Sequence, residues 1–293
     1  MAVTLITGCS TGIGLETAVH FAELGHTVYA SMRNLERAQP LRDAAASRRV
    51  SIHIIQLDVT DERSIERAVE DVLAREGHID VLVNNAGIGA LRATELTSDD
   101  EAHAIFETNY FGALRMIRAV LPSMRELRSG TIVNISSVAG RIAPGGMSAY
   151  PASKWALEAA SEALAQEVTS FGIRVAIIEP GFIVTPILDK ALDSLTPDPS
   201  SPYADLERRV SVIFGQARET GSPSALVAKA IAHAVSTGDP QLRYLVGTDA
   251  NTLVQNRARM TDAEWIAFGR KQTDAEYFTR FAARFPMGEP ARG

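Results

Sequence analysis

Tyr150 and Lys154 stand four residues apart, which puts both side chains on one face of a helix. A free phenol titrates at about 10, too high to exchange protons readily at neutral pH. An ammonium beside it favours the tyrosinate and lowers that value. A phenol tuned in this way can protonate a carbonyl oxygen or remove the proton of a hydroxyl. Pro151 falls in the first turn of the segment, where its missing N–H costs nothing. Many surface helices share this four-residue spacing, so the pair needs support from elsewhere in the chain.

A second candidate lies at the start. "TLITGCSTGIG" runs from Thr4 to Gly14, and Gly8-Cys9-Ser10-Thr11-Gly12 fits the G-x-S-x-G elbow of hydrolases. Such an elbow follows the strands that build its oxyanion loop, and here only one strand precedes it. His233, a possible triad partner, lies in a helical pattern with no motif around it. A P-loop needs Gly-Lys-Ser/Thr at its end, and Gly12-Ile13-Gly14 supplies no lysine. A dinucleotide loop remains. Its glycines let backbone approach a pyrophosphate, and the next helix offers free N–H groups and a positive dipole end. The plainer alternative is a tight strand-to-helix turn, and the loop alone does not decide between them.

These residues need elements to hold them. Apolar, β-branched runs predict strands at 3–7, 27–31, 51–57, 79–83, 131–135, 174–178 and 242–246. Helical patterns fall between them, at 12–24, 61–75, 99–127, 150–171 and 224–235. This alternation predicts an α/β fold, a parallel sheet with helices on both faces, and the near-continuous apolar strands suit burial on both sides. Residues 186–221, with "LTPDPSSP", break the rhythm and are expected to form a lid. From 251 to 293 the chain is polar and helical in pattern. "TDAEW" and "TDAEY" each read as a helix start with a Thr or Asp cap. Two short helices packed on the body or on a partner subunit are expected there, with a substrate-site role the weaker reading.

Composition narrows the function classes. With 46% hydrophobic and 22% charged residues, the chain reads as an ordinary globular protein. The net charge of −6 carries no basic block, so no nucleic-acid partner is expected. The single cysteine, Cys9, excludes an internal disulfide and fits a reducing, cytoplasmic setting. No leader and no membrane span are expected, because no apolar run reaches about 18 residues. The histidines at 20, 26, 53, 78, 103 and 233 lack metal-ligand spacing, so no metal site is expected.

Thr7-Gly8-x-x-x-Gly12-Ile13-Gly14, Asn84-Asn85-Ala86-Gly87, Asn109, Ser137, Tyr150-x-x-x-Lys154 and Pro180-Gly181 occur in this order. In these motifs the chain resembles the short-chain dehydrogenase/reductase family, over about residues 1–250. The resemblance implies a Rossmann-type doubly wound sheet of about seven parallel strands, ordered 3-2-1-4-5-6-7, in a single domain. It implies catalytic roles for Asn109, Ser137, Tyr150 and Lys154. Ser137 precedes Tyr150 by thirteen residues, the family's offset, and would donate to the substrate oxygen. Asn109 would hold a relay water that serves Lys154. A cofactor would lie on Gly8, Ser10, Thr11, Gly12, Ile13 and Gly14. It would continue past Asp58 and Val59, and past Asn85, Ala86 and Gly87, to Tyr150 and Lys154. Its nicotinamide end would meet Pro180, Gly181, Ile183 and Thr185.

The second strand bears on which nicotinamide cofactor is expected. An NAD-type domain places an acid near this strand's end, on the ribose 2′-OH. Here Met32 occupies that place and Arg33 follows. A guanidinium can pair with a 2′-phosphate that no carboxylate repels, so NADP(H) is favoured over NAD(H). Ser10 would share that phosphate, and Arg37 could assist. The stretch from Leu5 to Asn34 resembles members that act on hydroxysteroids or retinol. A pocket wall of Ile88, Leu91, Val138, Met147, Phe182, Ile187 and Leu188 is expected to suit a bulky apolar ketone or alcohol. Family members commonly form homodimers or homotetramers through long helices, here 99–127 and 150–171. The alternative is a sensor that binds NADP(H) and regulates a partner without turnover; such a protein has no need of an intact tetrad.

Overall fold

Seven short runs rich in Val, Ile and Leu form one parallel sheet in the computed structural model, which describes residues 1–195 and 198–286. They are β1 (Val3–Ile6), β2 (Thr27–Met32), β3 (His53–Gln56), β4 (Val81–Asn84), β5 (Gly130–Ile135), β6 (Ile173–Pro180) and β9 (Arg243–Val246). Between the last two, β7 (Ile183–Val184) and β8 (Ser222–Pro223) pair with each other apart from the main sheet. The main order is β3-β2-β1-β4-β5-β6-β9. This is the expected doubly wound order, with 243–246 as its seventh strand. Strand order reverses between β1 and β4, so ligands are expected in the crevice at their carboxyl ends.

The helices are α1 (Gly12–Glu23), α2 (Gln39–Arg48), α3 (Glu62–Glu76), α4 (Asp99–Phe106), α5 (Gly112–Leu127), α6 (Ala149–Val168), α7 (Pro186–Ser194), α8 (Ala204–Thr220) and α9 (Ser224–Ser236). Three more follow: α10 (Ala250–Arg259), α11 (Asp262–Ile266) and α12 (Asp274–Arg284). Strand side chains alternate between faces. Ile6, Val28, Val133 and Ile178 join Phe21 of α1 and Ile231 of α9 in one core. Leu5, Tyr29, Leu82 and Ile132 join Val72 of α3, Met116 of α5 and Leu164 of α6 in the other. Each fully buried Leu, Ile or Phe contributes about 1.5–3 kcal/mol. Cys9 sits in the first core, fully buried, and burial pushes its thiol up to about 12.

Two regions differ from the sequence reading. The helix expected over 99–127 is interrupted by a π-helical turn at Glu107–Phe111. Among the described residues the tail forms three helices, where two were expected. Thr261 and Thr273 cap α11 and α12 with complete capping boxes to Glu264 and Glu276. α10 has no such signal, because the Asp249 carboxylate before it turns away to another backbone N–H. Thr196 and Pro197 of the expected lid, and 287–293 of the expected extension, lie outside the described residues. Among the described residues, no helix is long and apolar enough to cross a membrane.

Candidate active site

The first loop is built against the end of β4. Thr7 Oγ1 accepts the backbone N–H groups of Asn85 and Ala86, both at 3.0 Å. Asn85 Nδ2 returns bonds to the carbonyls of Thr7 and Gly8, at 2.8 and 3.1 Å. Gly8 has φ +74°, and a Cβ there would stand 2.9 Å from Ala86 Cα. A Cβ on Gly14 would stand 2.4 Å from both Gly8 O and Asn85 Nδ2. Only glycine fits either position. α1 starts at Gly12 with no acid in its first turn, so its free N–H groups and dipole face the crevice unopposed. The cradle therefore fits a pyrophosphate.

Arg33 and Arg37 are exposed and line the crevice at the end of β2, and Arg33 makes no ion pair among the described residues. Met32 is buried at the slot where an acid would stand. Ser10 lines the same rim. Asp58 Oδ1 accepts from the N–H and hydroxyl of Thr60, at 2.9 and 2.8 Å.

α6 carries Tyr150 and Lys154 into the centre of the crevice. Lys154 Nζ donates to Ile135 O at 2.8 Å and lies 5.7 Å from the Tyr150 ring centroid. Burial pushes the ammonium down to about 8, against the pull of the Glu158 carboxylate. Burial also raises the Tyr150 phenol above its ordinary value, and the Ser137 hydroxyl opposes that shift. Ser137 Oγ accepts from Ala139 N at 3.1 Å. Asn109 sits in the π turn, 1% exposed. Its amide bonds both the N–H and the carbonyl of Ile88, each at 2.9 Å, and donates to Ser153 Oγ at 3.0 Å. Gly87 lies between Asn109 and Lys154, with Asn109 Oδ1 and Lys154 Nζ 3.3 and 3.7 Å from where its Cβ would be. π turns inside helices often mark functional positions.

Past β6, the Pro180-Gly181 bend is braced by a residue the sequence reading missed. Asp249 Oδ2 accepts from Phe182 N at 2.9 Å, and its Oδ1 would meet a Cβ on Gly181 at 2.3 Å. Burial raises this carboxyl above its usual range. No local signal announces the contact, which joins residues 67 apart in sequence. Thr185 caps the bend and starts α7, and its Cγ2 would stand 3.3 Å from a Cβ on Gly12.

One cavity of about 990 Å³ joins all of this. The expected cofactor and pocket residues line it, except that Gly14 and Asn109 stand behind the surface. The tail packs on the body through Arg209 and also lines the far end of this cavity. Trp265, Phe268, Tyr277, Phe281 and Phe285 line the cavity and stack edge-to-face or tilted on one another. Spacing at 277 and 281 puts two of these rings on one face of α12, with Phe285 just past its end, a pattern present in the sequence. Arg209 of α8 joins this helix to the tail. It is 6% exposed, bonds Asp274 Oδ1 at 2.8 Å and Gln272 O at 2.6 Å, and lies 4.9 Å over the Tyr277 ring.

The family model described as short chain dehydrogenase matches residues 2–195. The chain is 36% identical to a 3-ketodihydrosphingosine reductase of Bacteroides thetaiotaomicron, over 84% of this chain and 87% of that one. It is also 36% identical to retinol dehydrogenase 8 of Bos taurus, over 87% of this chain and 84% of that one. A solved short-chain dehydrogenase from Streptomyces avermitilis superposes with TM-score 0.75 at 36% identity, covering 93% of this chain and all of that one.

Proposed function

This chain belongs to the short-chain dehydrogenase family of oxidoreductases, whose members use a nicotinamide cofactor, and on that premise we propose that it is an NADP(H)-dependent enzyme reducing a bulky apolar ketone or oxidising the matching alcohol. The observation that carries this reading is one cavity lined by the glycine cradle, Ser137, Tyr150 and Lys154 together. When bound, the nicotinamide group supplies or accepts the hydride at the carbon of the reacting C–O bond. Tyr150 gives its phenolic proton to the carbonyl oxygen in reduction, and takes the hydroxyl proton in the reverse direction. Ser137 donates to the same oxygen and polarises it. Lys154, held by Ile135 O, keeps positive charge beside the phenol and lowers the proton affinity that burial raises. Asn109 carries the relay toward Lys154 from across Gly87.

Arg33, free of ion pairs among the described residues, and buried Met32 support NADP(H) over NAD(H). The aromatic roof supports a substrate with a large apolar body, as does likeness to proteins named for retinol and 3-ketodihydrosphingosine. Phe111 and Trp155, 42% and 51% exposed at the π turn and on α6, support self-association through these helices. A cytoplasmic location completes the proposal. An absorbance screen of NADPH and NADH against ketones of graded size tests the reading. Tyr150→Phe should abolish turnover and leave NADPH binding intact; a near-normal rate in that variant would sink the assignment.

A further inference from the structure

Behind Lys154 lies a set of charged groups that the chemistry above does not use. Glu158 is one turn farther along α6, on the face that already carries Tyr150 and Lys154. It is 5% exposed. Its Oε2 accepts from Arg243 Nε of β9 at 2.9 Å, and its Oε1 is buried without a hydrogen-bond partner among the described residues. Glu162, a turn beyond, takes another Arg243 nitrogen at 2.6 Å. Glu179 of β6, 1% exposed, meets Arg141 at 3.1 Å and stands 3.8 Å from Arg243. The packing is tight. A Cβ on Gly140 would stand 2.9 Å from Glu158 Cγ and 2.7 Å from Ser136 Oγ.

The charges of this set are informative. Glu158, Glu162 and Glu179 supply three carboxylates, and Arg141 and Arg243 supply two guanidiniums. Glu158 and Glu179 are buried, whereas the Glu162 side chain is 55% exposed and screened by water. Loss of the Lys154 proton is opposed by the buried carboxylate on the same helix face, Glu158, whose own charge Arg243 fixes. The remaining groups facing Lys154 are uncharged or its own partner: Tyr150 on α6, Ile135 O on β5, and Asn109 across Gly87.

We propose that Glu158 is a positioning residue for the acid–base pair: its carboxylate, fixed by Arg243, holds Lys154 in the charged form from one helical turn beyond it. The inference rests on Tyr150 and Lys154 being that pair. Burial alone drives Lys154 down, and Glu158 is the group that opposes it. Glu179 backs the arrangement; burial and Glu158 raise its carboxyl, while Arg141 and Arg243 hold it back.

The chain contains four lysines, at 154, 190, 229 and 271, so lysine-selective 13C/15N labelling of the full protein gives a readable titration without any substrate. Lys154→Arg assigns the signal. In the wild type, Lys154 should titrate near 8. Glu158→Gln should lower that value by about one unit, a tenfold loss of proton affinity. Glu158→Asp, which keeps the charge, should restore most of it. Should Glu158→Gln fail to fold, Glu179→Gln should move Lys154 in the same direction by less. An unmoved Lys154 signal in whichever of these two variants folds overturns the proposal, even where the thermal midpoint drops. The functional reading fails separately: turnover surviving Tyr150→Phe would remove it and leave the Lys154 titration as measured.

Discussion

Gly8, Gly12 and Gly14 let the first loop lie against its neighbours at clearances set largely by backbone and close-packed atoms, whereas the roof at the other end of the cavity is made of side chains. In the loop, a single added methyl meets Gly8 O or Ala86 Cα below 3.0 Å. In the roof, five aromatic rings meet at 5.3–6.3 Å between centroids, and one arginine ties α8 to the tail. Backbone clearances admit almost no change, while apolar walls can be repacked at modest cost. One half of the cavity is thus suited to an invariant ligand and the other to a ligand that differs between relatives.

This comparison can be broken in three places. The largest effect is expected from Gly14→Ala. A Cβ 2.4 Å from a backbone oxygen forces α1 away from β4, and about 3 kcal/mol of stability should be lost. A denaturant midpoint measures this, and NADPH titration should show binding weakened at least tenfold. A neutral substitution would mean that the loop is not held by clearance.

A smaller effect is expected from Arg209→Met. It removes a buried cation bonded to Asp274 and Gln272 O and stacked on Tyr277. Losing one partner of such a pair costs about 2–3 kcal/mol of local stability. KM for a large ketone should rise about tenfold by that loosening, while the Kd of NADPH stays within twofold. Equal changes in both would mean that the two ends are one mechanical unit. The smallest is Ser10→Ala, which removes one hydroxyl donor worth about 1 kcal/mol. NADPH should bind about fivefold more weakly, with turnover at saturating cofactor unchanged.

The same contrast explains what could be read from the residues alone. The glycine loop, the Tyr150–Lys154 face and the strand order are local matters. Each follows from a backbone constraint, a helical period or a strand alternation. Asn109 was placed in one long helix, because nothing in "ETNYFGALR" marks the π turn that aims its amide at Ile88. Asp249, Glu179 and Arg243 act on segments far away in sequence, and their partners emerge only when β6 and β9 lie side by side. The roof is the part least specified by the residues alone. The aromatic spacing of α12 was visible, but whether that face met the body or a substrate cavity depended on where α8 placed Arg209.

Cys9 carries a consequence for anyone wishing to watch α8. The chain's sole thiol is fully buried, and burial holds it near 12, so almost no thiolate exists at neutral pH. Alkylating dyes require the thiolate and access to it. The native chain is therefore a silent background: a cysteine introduced on the exposed face of α8, with a second on α3, would carry the only two labels. Distances between α8 and α3 could be followed without deleting any native cysteine.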